Sequence, residues 1–109
     1  MKFCYSLAPE ALDSVERQMV WLEETAGDQL ADFWMEALKA SLAQLTSHPE
    51  RNGCAPENGK IFRGVKIRQK RFRPWKGKSG WRVLYMVDEL EAIVTILQIR
   101  HERQPWAEG

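Results

Sequence analysis

Apolar residues recur at every third or fourth position over two long stretches in the first half of the chain. In the first stretch, Leu12, Val15, Met19 and Leu22 share one face of a helix. That helix would begin at Pro9, where the missing N–H of proline costs nothing. The second stripe is formed by Leu30, Phe33, Trp34, Ala37, Leu38, Leu42 and Leu45. The pattern predicts a helical hairpin over residues 9–47.

The two ends of the second predicted helix carry their own signals. Gly27 supplies a stop for the first helix, and Asp28 is expected to cap the second by accepting from its free N–H groups. The second helix should end at Ser47–His48, because the residue before Pro49 resists the helical conformation. Residues 49–59 hold two prolines and two Asn-Gly pairs, which indicate a loop.

The remaining segments show strand patterns. Residues 1–8 alternate, which predicts a first strand at or near the edge of a sheet. A basic strand is expected over residues 61–70, followed by a connector in which three residues, Pro74, Gly77 and Gly80, break any ladder. WRVLYMV and AIVTILQI are apolar on both faces, so they should be the central strands.

This order of elements defines the expected fold. Strand, helix, helix and three further strands predict an α+β domain of two layers, with both helices on one face of a four-stranded sheet. The last three strands should form an antiparallel meander within residues 60–100, and residues 101–109 a polar tail. A chain of 109 residues suffices for this one domain.

Cysteine content and hydropathy bear on the compartment. Cys4 and Cys54 have no CxxC spacing, and two free thiols are typical of a reducing cytoplasm. No apolar run approaches the roughly 20 residues of a membrane span, and the N-terminus lacks a secretion signal pattern. We therefore expect a cytoplasmic protein that does not enter a membrane.

Charge is divided between the two halves of the chain. Up to Gly59 there are four basic and ten acidic residues, whereas from Lys60 onward there are twelve basic and five acidic residues. Between Lys60 and Arg82 there are ten basic residues and no acid. The asymmetry predicts that the sheet meets a polyanion. The alternative is that basic strands only keep the sheet soluble.

Four short motifs carry a family resemblance. They are Leu7-Ala8-Pro9-Glu10-Ala11, His48-Pro49-Glu50-Arg51-Asn52-Gly53, Gly80-Trp81-Arg82-Val83-Leu84-Tyr85, and the ending from Ile96 to Arg103. In this order, over residues 1–103, the chain resembles the RelE/ParE toxins of bacterial type II toxin–antitoxin modules. The resemblance implies a growth inhibitor that is neutralised by a cognate antitoxin.

Two targets occur in that family, and the fold does not decide between them. RelE-like members cut messenger RNA on the ribosome, and ParE-like members poison DNA gyrase. Our first hypothesis is a ribosome-dependent mRNA endonuclease, and our second is a gyrase poison without nuclease activity. A third hypothesis is a degenerate member retained as an antitoxin-binding or DNA-autoregulatory partner.

RNA cleavage without a metal or cofactor needs a base, an acid and a cation that stabilises the charge growing on the phosphate. The resemblance implies that Arg82 holds the phosphate, and that Lys66 and Arg68 match the Lys-x-Lys pair of RelE-like members. His101 and Glu102 lie where the family places further catalytic groups. Lys66, Arg68 and Arg82 are expected to project together from the face of the sheet that the helices leave open.

A second set of residues is expected to bind RNA or phosphate around these groups. Its members are Lys70, Arg71, Arg73, Trp75, Lys76, Arg103 and Trp106. RelE-like ribonucleases often carry a proton-transferring tyrosine in the tail, whereas this tail offers Trp106, whose indole can only stack. Structural alternatives stay open, namely that Arg82 pairs with an acid, that His101 bonds to backbone, and that Trp81 and Tyr85 belong to the core.

Overall fold

In the computed structural model, which describes residues 3–55, 66–75 and 80–102, two helices lie against one face of a four-stranded sheet. The elements are β1 (Cys4–Leu7), α1 (Pro9–Ala26), α2 (Asp28–Leu45), a 3-10 turn (Pro49–Arg51), β2 (Arg68–Phe72), β3 (Trp81–Asp88) and β4 (Ile93–His101). The predicted α+β class and the order of elements are confirmed. Neither helix in the described ranges is long and apolar enough to cross a membrane.

The strands lie in the order β1-β4-β3-β2. β1 runs parallel to β4, and β2, β3 and β4 form the predicted antiparallel meander. The apolar strands β3 and β4 occupy the centre and β1 an edge, as their patterns predict. On the far side of β2, the backbone around Cys54 forms a bridge to Arg68. The basic strand begins later than expected, at Arg68, and the predicted residues 61–65 lie outside the described ranges.

The turn between the helices depends on one glycine. Gly27 has a φ of 95°, which an L side chain rarely adopts, and it caps both the end of α1 and the start of α2. The expectation for Asp28 is wrong, because Asp28 is already the first helical residue and no side chain caps α2. Its carboxylate still lies in the first turn, where the helix dipole favours negative charge.

The main core fills the space between the helices and the sheet. From the helices it takes Ala11, Val15, Leu22, Ala31, Trp34, Leu38, Leu42 and Leu45, and from the strands Phe72, Trp81, Val83, Tyr85, Val94, Ile96 and Ile99. Trp34 is fully buried and meets the rings of Phe72 and Trp81 edge-on, each at 5.7 Å between centroids. These contacts fix α2 over β2 and β3.

Side chains alternate across the sheet, so each strand has a helix side and an outer face. On β3, Trp81, Val83 and Tyr85 lie on the helix side, and Arg82 and Leu84 lie on the outer face. A smaller apolar cluster of Ala55, Ile67, Leu84 and Leu97 covers part of the outer face. The rest of that face is polar, and it holds the candidate site.

Candidate functional site

The predicted convergence of Lys66, Arg68 and Arg82 on the outer face is wrong. Arg68 pairs with Tyr85, whose side chain is in the helix-side core, whereas Arg82 pairs with Arg71. Directly opposed residues of an antiparallel pair project to the same face. Arg68 therefore lies on the helix side, and Arg82 lies on the outer face.

Arg68 is engaged with the backbone of the 3-10 turn. Its guanidinium donates to the carbonyl oxygens of Glu50, at 3.1 Å, and Asn52. Tyr85 completes the anchor, since its hydroxyl donates to the carbonyl of Pro49 and accepts from Asn52 Nδ2 at 3.1 Å. The two side chains hold the segment that follows α2 against the sheet.

The hydroxyl of Tyr85 is buried in this anchor. Burial raises the pKa of Tyr85 above its usual value, while the Asn52 hydrogen bond and the Arg68 charge act to lower the same pKa. The neutral phenol is therefore the form that suits the folded protein. Arg68 and Tyr85 together explain why a polar motif, His48 to Gly53, follows the second helix.

Lys66 lies far from Arg82 along the sheet. It is exposed and precedes β2 by two residues. Arg71, the residue opposite Arg82, lies five positions further along the chain, which is about 17 Å at the rise of an extended strand. Lys66 and Arg82 cannot grip the same phosphate at that distance.

His101 and Glu102 are also separated from each other. His101 pairs with Trp81, and the two rings meet edge-on at 5.4 Å on the helix side. Glu102 Oε1 lies 3.1 Å from Arg73 Nη2 and is buried without an aligned hydrogen bond. The ion pair gives Glu102 a charge partner, and His101 does not share a face of the sheet with Arg82.

Four of the seven predicted phosphate-binding residues lie in the described ranges. Trp75 stacks on Phe33 at 6.3 Å and meets Trp81 edge-on at 5.7 Å, so its ring packs against the helix-side core. Lys70 pairs with Val83 and shares that side, whereas Arg71 lies on the outer face. The remaining three, Lys76, Arg103 and Trp106, lie outside the described residues, and their roles stay predictions.

The structure reveals a row of arginines that the sequence did not. Arg71 pairs with Arg82 across β2 and β3, and Arg82 pairs with Arg100 across β3 and β4. The three residues stand opposite one another on three neighbouring strands, and we call them the arginine row. Arg100 was not among the predicted site residues.

A bulge in β4 creates this alignment. Near the hairpin turn, Tyr85 pairs with Ile96, but beyond the irregularity Leu84 pairs with Gln98, so Leu97 is the extra residue. Without the bulge, Arg82 would face Ile99. The signal in the sequence is the run Leu97-Gln98-Ile99, which fits neither face of a regular strand.

A cleft of about 460 Å³ opens on the helix side, between α1 and the end of β4. It is lined by Ser14, Arg17, Gln18, Trp21, Ile99, Arg100 and His101. Within the described ranges no group of three or more His, Cys, Asp or Glu side chains is arranged to hold a metal ion. His101 therefore borders the same cleft as Arg17 and Trp21 of α1.

A sequence-family comparison decides the class of this protein. The model of the family described as "ParE toxin of type II toxin-antitoxin system, parDE" matches residues 5–106. The chain belongs to this toxin family. No curated protein sequence matches the chain significantly.

Solved structures share the fold of this ParE-family chain at low sequence identity. The chromosomal ParDE toxin–antitoxin system from P. aeruginosa aligns with a TM-score of 0.67 and 13% identity, over 92% of this chain and 96% of that one. The RelBE2 toxin–antitoxin complex from Mycobacterium tuberculosis aligns with a TM-score of 0.56 and 13% identity, over 94% and 100%. Both ParE-like and RelE-like chains therefore adopt the architecture described above.

Proposed function

We propose that this ParE-family toxin arrests bacterial growth in the cytoplasm by poisoning DNA gyrase, without cleaving RNA. The observation that carries the proposal is the separation of the residues expected to form a ribonuclease site. Arg82 lies on the outer face, Arg68 and His101 lie on the helix side, and Lys66 precedes β2, five positions before the residue opposite Arg82. The family match, which is to ParE, supports the same choice.

The chemistry of RNA cleavage is the reason that this separation supports the proposal. A general base or acid must lie within about 2.6–3.2 Å of the atom with which it exchanges a proton, directly or through one water. A sheet separates His101 from Arg82, so both cannot reach one phosphodiester group. Arg68 is moreover held by two backbone carbonyls and is not placed to stabilise a phosphate.

A second candidate function, ribosome-dependent mRNA cleavage, is favoured by one observation. The arginine row places Arg82 between two further guanidinium groups on one face. Such an arrangement suits a phosphate-dense substrate, because arginine forms paired hydrogen bonds to phosphate oxygens. This candidate needs its proton-transferring groups from the substrate, the ribosome or residues beyond the row.

We also propose a cognate antitoxin as the partner that neutralises the toxin. The two structural neighbours come from a ParDE system and a RelBE2 toxin–antitoxin complex, which supports such a partner here. The strongly basic second half of the chain favours an antitoxin with an acidic segment. The neighbouring open reading frame is where this partner would be encoded.

The test compares the two targets directly. Purified toxin is incubated with DNA gyrase and supercoiled plasmid, and covalent complexes are trapped by denaturation before electrophoresis. We expect toxin-dependent linear DNA, together with intact messages in primer extension from arrested cells. Messages cut between codon positions, with no trapped gyrase complex, would instead establish the ribonuclease.

A variant separates the two mechanisms further. Under the gyrase proposal the unmodified chain cleaves no RNA, so messages stay intact both with it and with His101→Gln. Under the ribonuclease alternative, Arg82→Gln abolishes cutting while the circular dichroism spectrum stays that of the folded protein. Lys39→Gln, on the exposed face of α2, is the matched charge control.

A further inference from the structure

The first helix carries a second stripe beside its buried face. Ser14, Arg17, Gln18 and Trp21 follow one another at the spacing i, i+3, i+4 and i+7, so they lie along one side of α1. All four line the cleft of about 460 Å³ between α1 and the end of β4. Proteins bind small molecules in clefts of about 300–1,000 Å³ where a few polar groups converge. The stripe and the cleft therefore have the size and the make-up of a ligand site.

Trp21 forms the aromatic wall of this cleft. Trp34, Trp75 and Trp81 each pack against another ring, whereas the indole of Trp21 has no ring partner in the described part of the chain. Its residue is 56% exposed, which is unusual for so large an apolar side chain. An exposed indole offers a flat face on which a planar ring such as a nucleobase can stack. The wall therefore suits a planar heterocycle.

Gln18 supplies hydrogen-bonding groups beside that ring. Residues three apart are neighbours on the surface of a helix, so Gln18 adjoins Trp21. Within the described ranges the half-buried Gln18 side chain makes no hydrogen bond. A carboxamide presents one acceptor and one donor group, which matches the amino group and N7 of adenine. Guanine has two acceptors at the same edge, so Gln18 favours adenine.

The rest of the lining favours a negatively charged group. The residues that line the cleft include Arg17 and no acid. Arg17 Nη2 lies 2.9 Å from Asp13 Oδ2, but both side chains are more than half exposed, so this ion pair contributes little and leaves other guanidinium donors for a ligand. Arg100 and His101 line the cleft too, and both take part in other interactions, so the site is assigned to the groups of α1 alone.

We infer that this cleft binds an adenine nucleotide. The base stacks on Trp21 and bonds to Gln18, and the phosphate meets Arg17. The inference goes beyond the proposed function, because neither gyrase poisoning nor antitoxin binding requires the toxin to hold a nucleotide. It uses no residue of the outer face of the sheet, so it holds or fails independently of the toxin's target. Free nucleotides and unpaired adenines of a single strand share this chemistry, and the experiment has one arm for each.

The test is equilibrium dialysis of the purified full chain against adenosine monophosphate in one arm and a triadenylate oligonucleotide in the other. The arm with the lower dissociation constant identifies the source of the base. We expect adenosine monophosphate to bind about fivefold or more tightly than guanosine monophosphate, the least that a paired hydrogen-bonding contact gives. Adenosine without phosphate should bind more weakly than the monophosphate.

Two variants test the wall and the hydrogen-bonding groups. Trp21→Leu should weaken binding of adenosine monophosphate at least about fivefold through the loss of stacking. Phe33→Leu, at a ring of α2 that is 53% exposed and does not line the cleft, is its matched control and should change nothing. Gln18→Leu should make the affinities for the adenine and guanine nucleotides equal. Gln44→Leu, on the exposed side of α2, should preserve the preference for adenine.

A third variant tests the phosphate contact. Arg17→Gln should remove the preference for the monophosphate over adenosine, and Lys39→Gln, which breaks a similarly exposed ion pair on α2, should keep it. Both preferences are ratios of affinities for one protein sample, so partial unfolding of a variant cannot imitate their loss.

Three results would overturn the inference. They are equal binding of the adenine and guanine nucleotides by the unmodified chain, undiminished binding by Trp21→Leu, and no retention of adenosine monophosphate at millimolar concentration. Inorganic phosphate that binds as tightly as adenosine monophosphate would show a simple anion site, which also contradicts a nucleotide cleft.

Discussion

At the scale of single residues, Arg68 and Arg82 show how one type of side chain takes two roles. Both belong to the basic stretch that dominates the second half of the chain. Arg68 lies on the helix side and donates to the carbonyls of Glu50 and Asn52, while Arg82 lies in the arginine row. The strand alternation alone separates them, because register places their side chains on opposite faces.

The anchor around Tyr85 gives a stability prediction. Tyr85→Phe removes the bond to the Pro49 carbonyl and leaves Asn52 Nδ2 without that acceptor. We expect the free energy of unfolding to fall by about 1–3 kcal/mol, the cost of leaving buried polar groups unsatisfied. Denaturant unfolding at neutral pH measures this, with Tyr5→Phe, on the exposed edge strand, as the matched control. Equal losses for both variants would show that the anchor contributes nothing.

The raised pKa of Tyr85 makes the stability of the unmodified chain depend on pH, whereas Tyr85→Phe lacks this group. The unfolded phenol loses its proton near its usual pKa of about 10, while the folded one keeps it to higher pH. The unfolded state then binds fewer protons, so stability falls as the pH rises above about 10. The difference between the unmodified chain and Tyr85→Phe should therefore narrow at alkaline pH and stay constant below it.

At the scale of elements, the bulge in β4 decides the composition of the outer face. Pairing that begins at the hairpin turn would place Ile99 opposite Arg82, but the extra residue Leu97 shifts the register by one. Arg100 then joins the row, and Ile99 joins the helix-side core beside Val83. A single irregularity thus satisfies the core and assembles the row.

The start of β3 gives a prediction about close packing. A Cβ atom added at Gly80 would lie 2.7 Å from the carbonyl oxygen of Phe72 and 2.6 Å from Arg73 Cγ. Because Phe72 O is backbone, Gly80→Ala should move β2 away from β3 and cost about 1–3 kcal/mol of unfolding free energy. Gly53→Ala is the matched control, since nothing lies within 4 Å of its added Cβ. A Gly80→Ala variant as stable as Gly53→Ala would contradict this packing.

At the scale of the whole molecule, charge is sorted by layer. The acidic residues of the first half lie mainly on the helices, and the basic second half forms most of the sheet. A chain arranged in this way is expected to attract polyanions to its sheet and to repel them from its helices. Opposite layers of opposite charge orient the molecule before contact, since fields of this kind steer association.

This arrangement predicts that a polyanion stabilises the folded chain. Tripolyphosphate at 100 times its dissociation constant should add about 2.7 kcal/mol to the unfolding free energy. For a domain of this size, each kcal/mol corresponds to a rise of about 4–8 °C in the midpoint of thermal unfolding. Sodium chloride at equal ionic strength is the control for screening. A double variant, Arg71→Gln with Arg82→Gln, should lose most of the rise, and an undiminished rise would place the anion elsewhere.

The sequence predicted the fold from local patterns. The predicted stripes contain buried residues of both helices, such as Val15, Leu22, Trp34 and Leu38, but Leu12, Leu30 and Phe33 are exposed. The doubly apolar strands were identified as central. The shared face of Trp81, Val83, Tyr85 and Val87 was likewise assigned to the core, and the structure packs all four there. The family resemblance, based on four motifs in order, is confirmed by the match over residues 5–106.

The candidate site was predicted less well, for a physical reason. Residue types and charges are written in the chain, so the sequence alone indicates a basic sheet, and the phosphate-binding roles of Arg71 and Arg82 stay predictions. Which side chains meet depends on the pairing of strands that are distant in sequence and on one bulge. The sequence by itself therefore determined the elements, their buried faces and the charge they carry. Only the tertiary structure decided that Arg68 holds a turn, that Glu102 pairs with Arg73, and that Arg100 stands beside Arg82, because register is set by packing between elements and not within them.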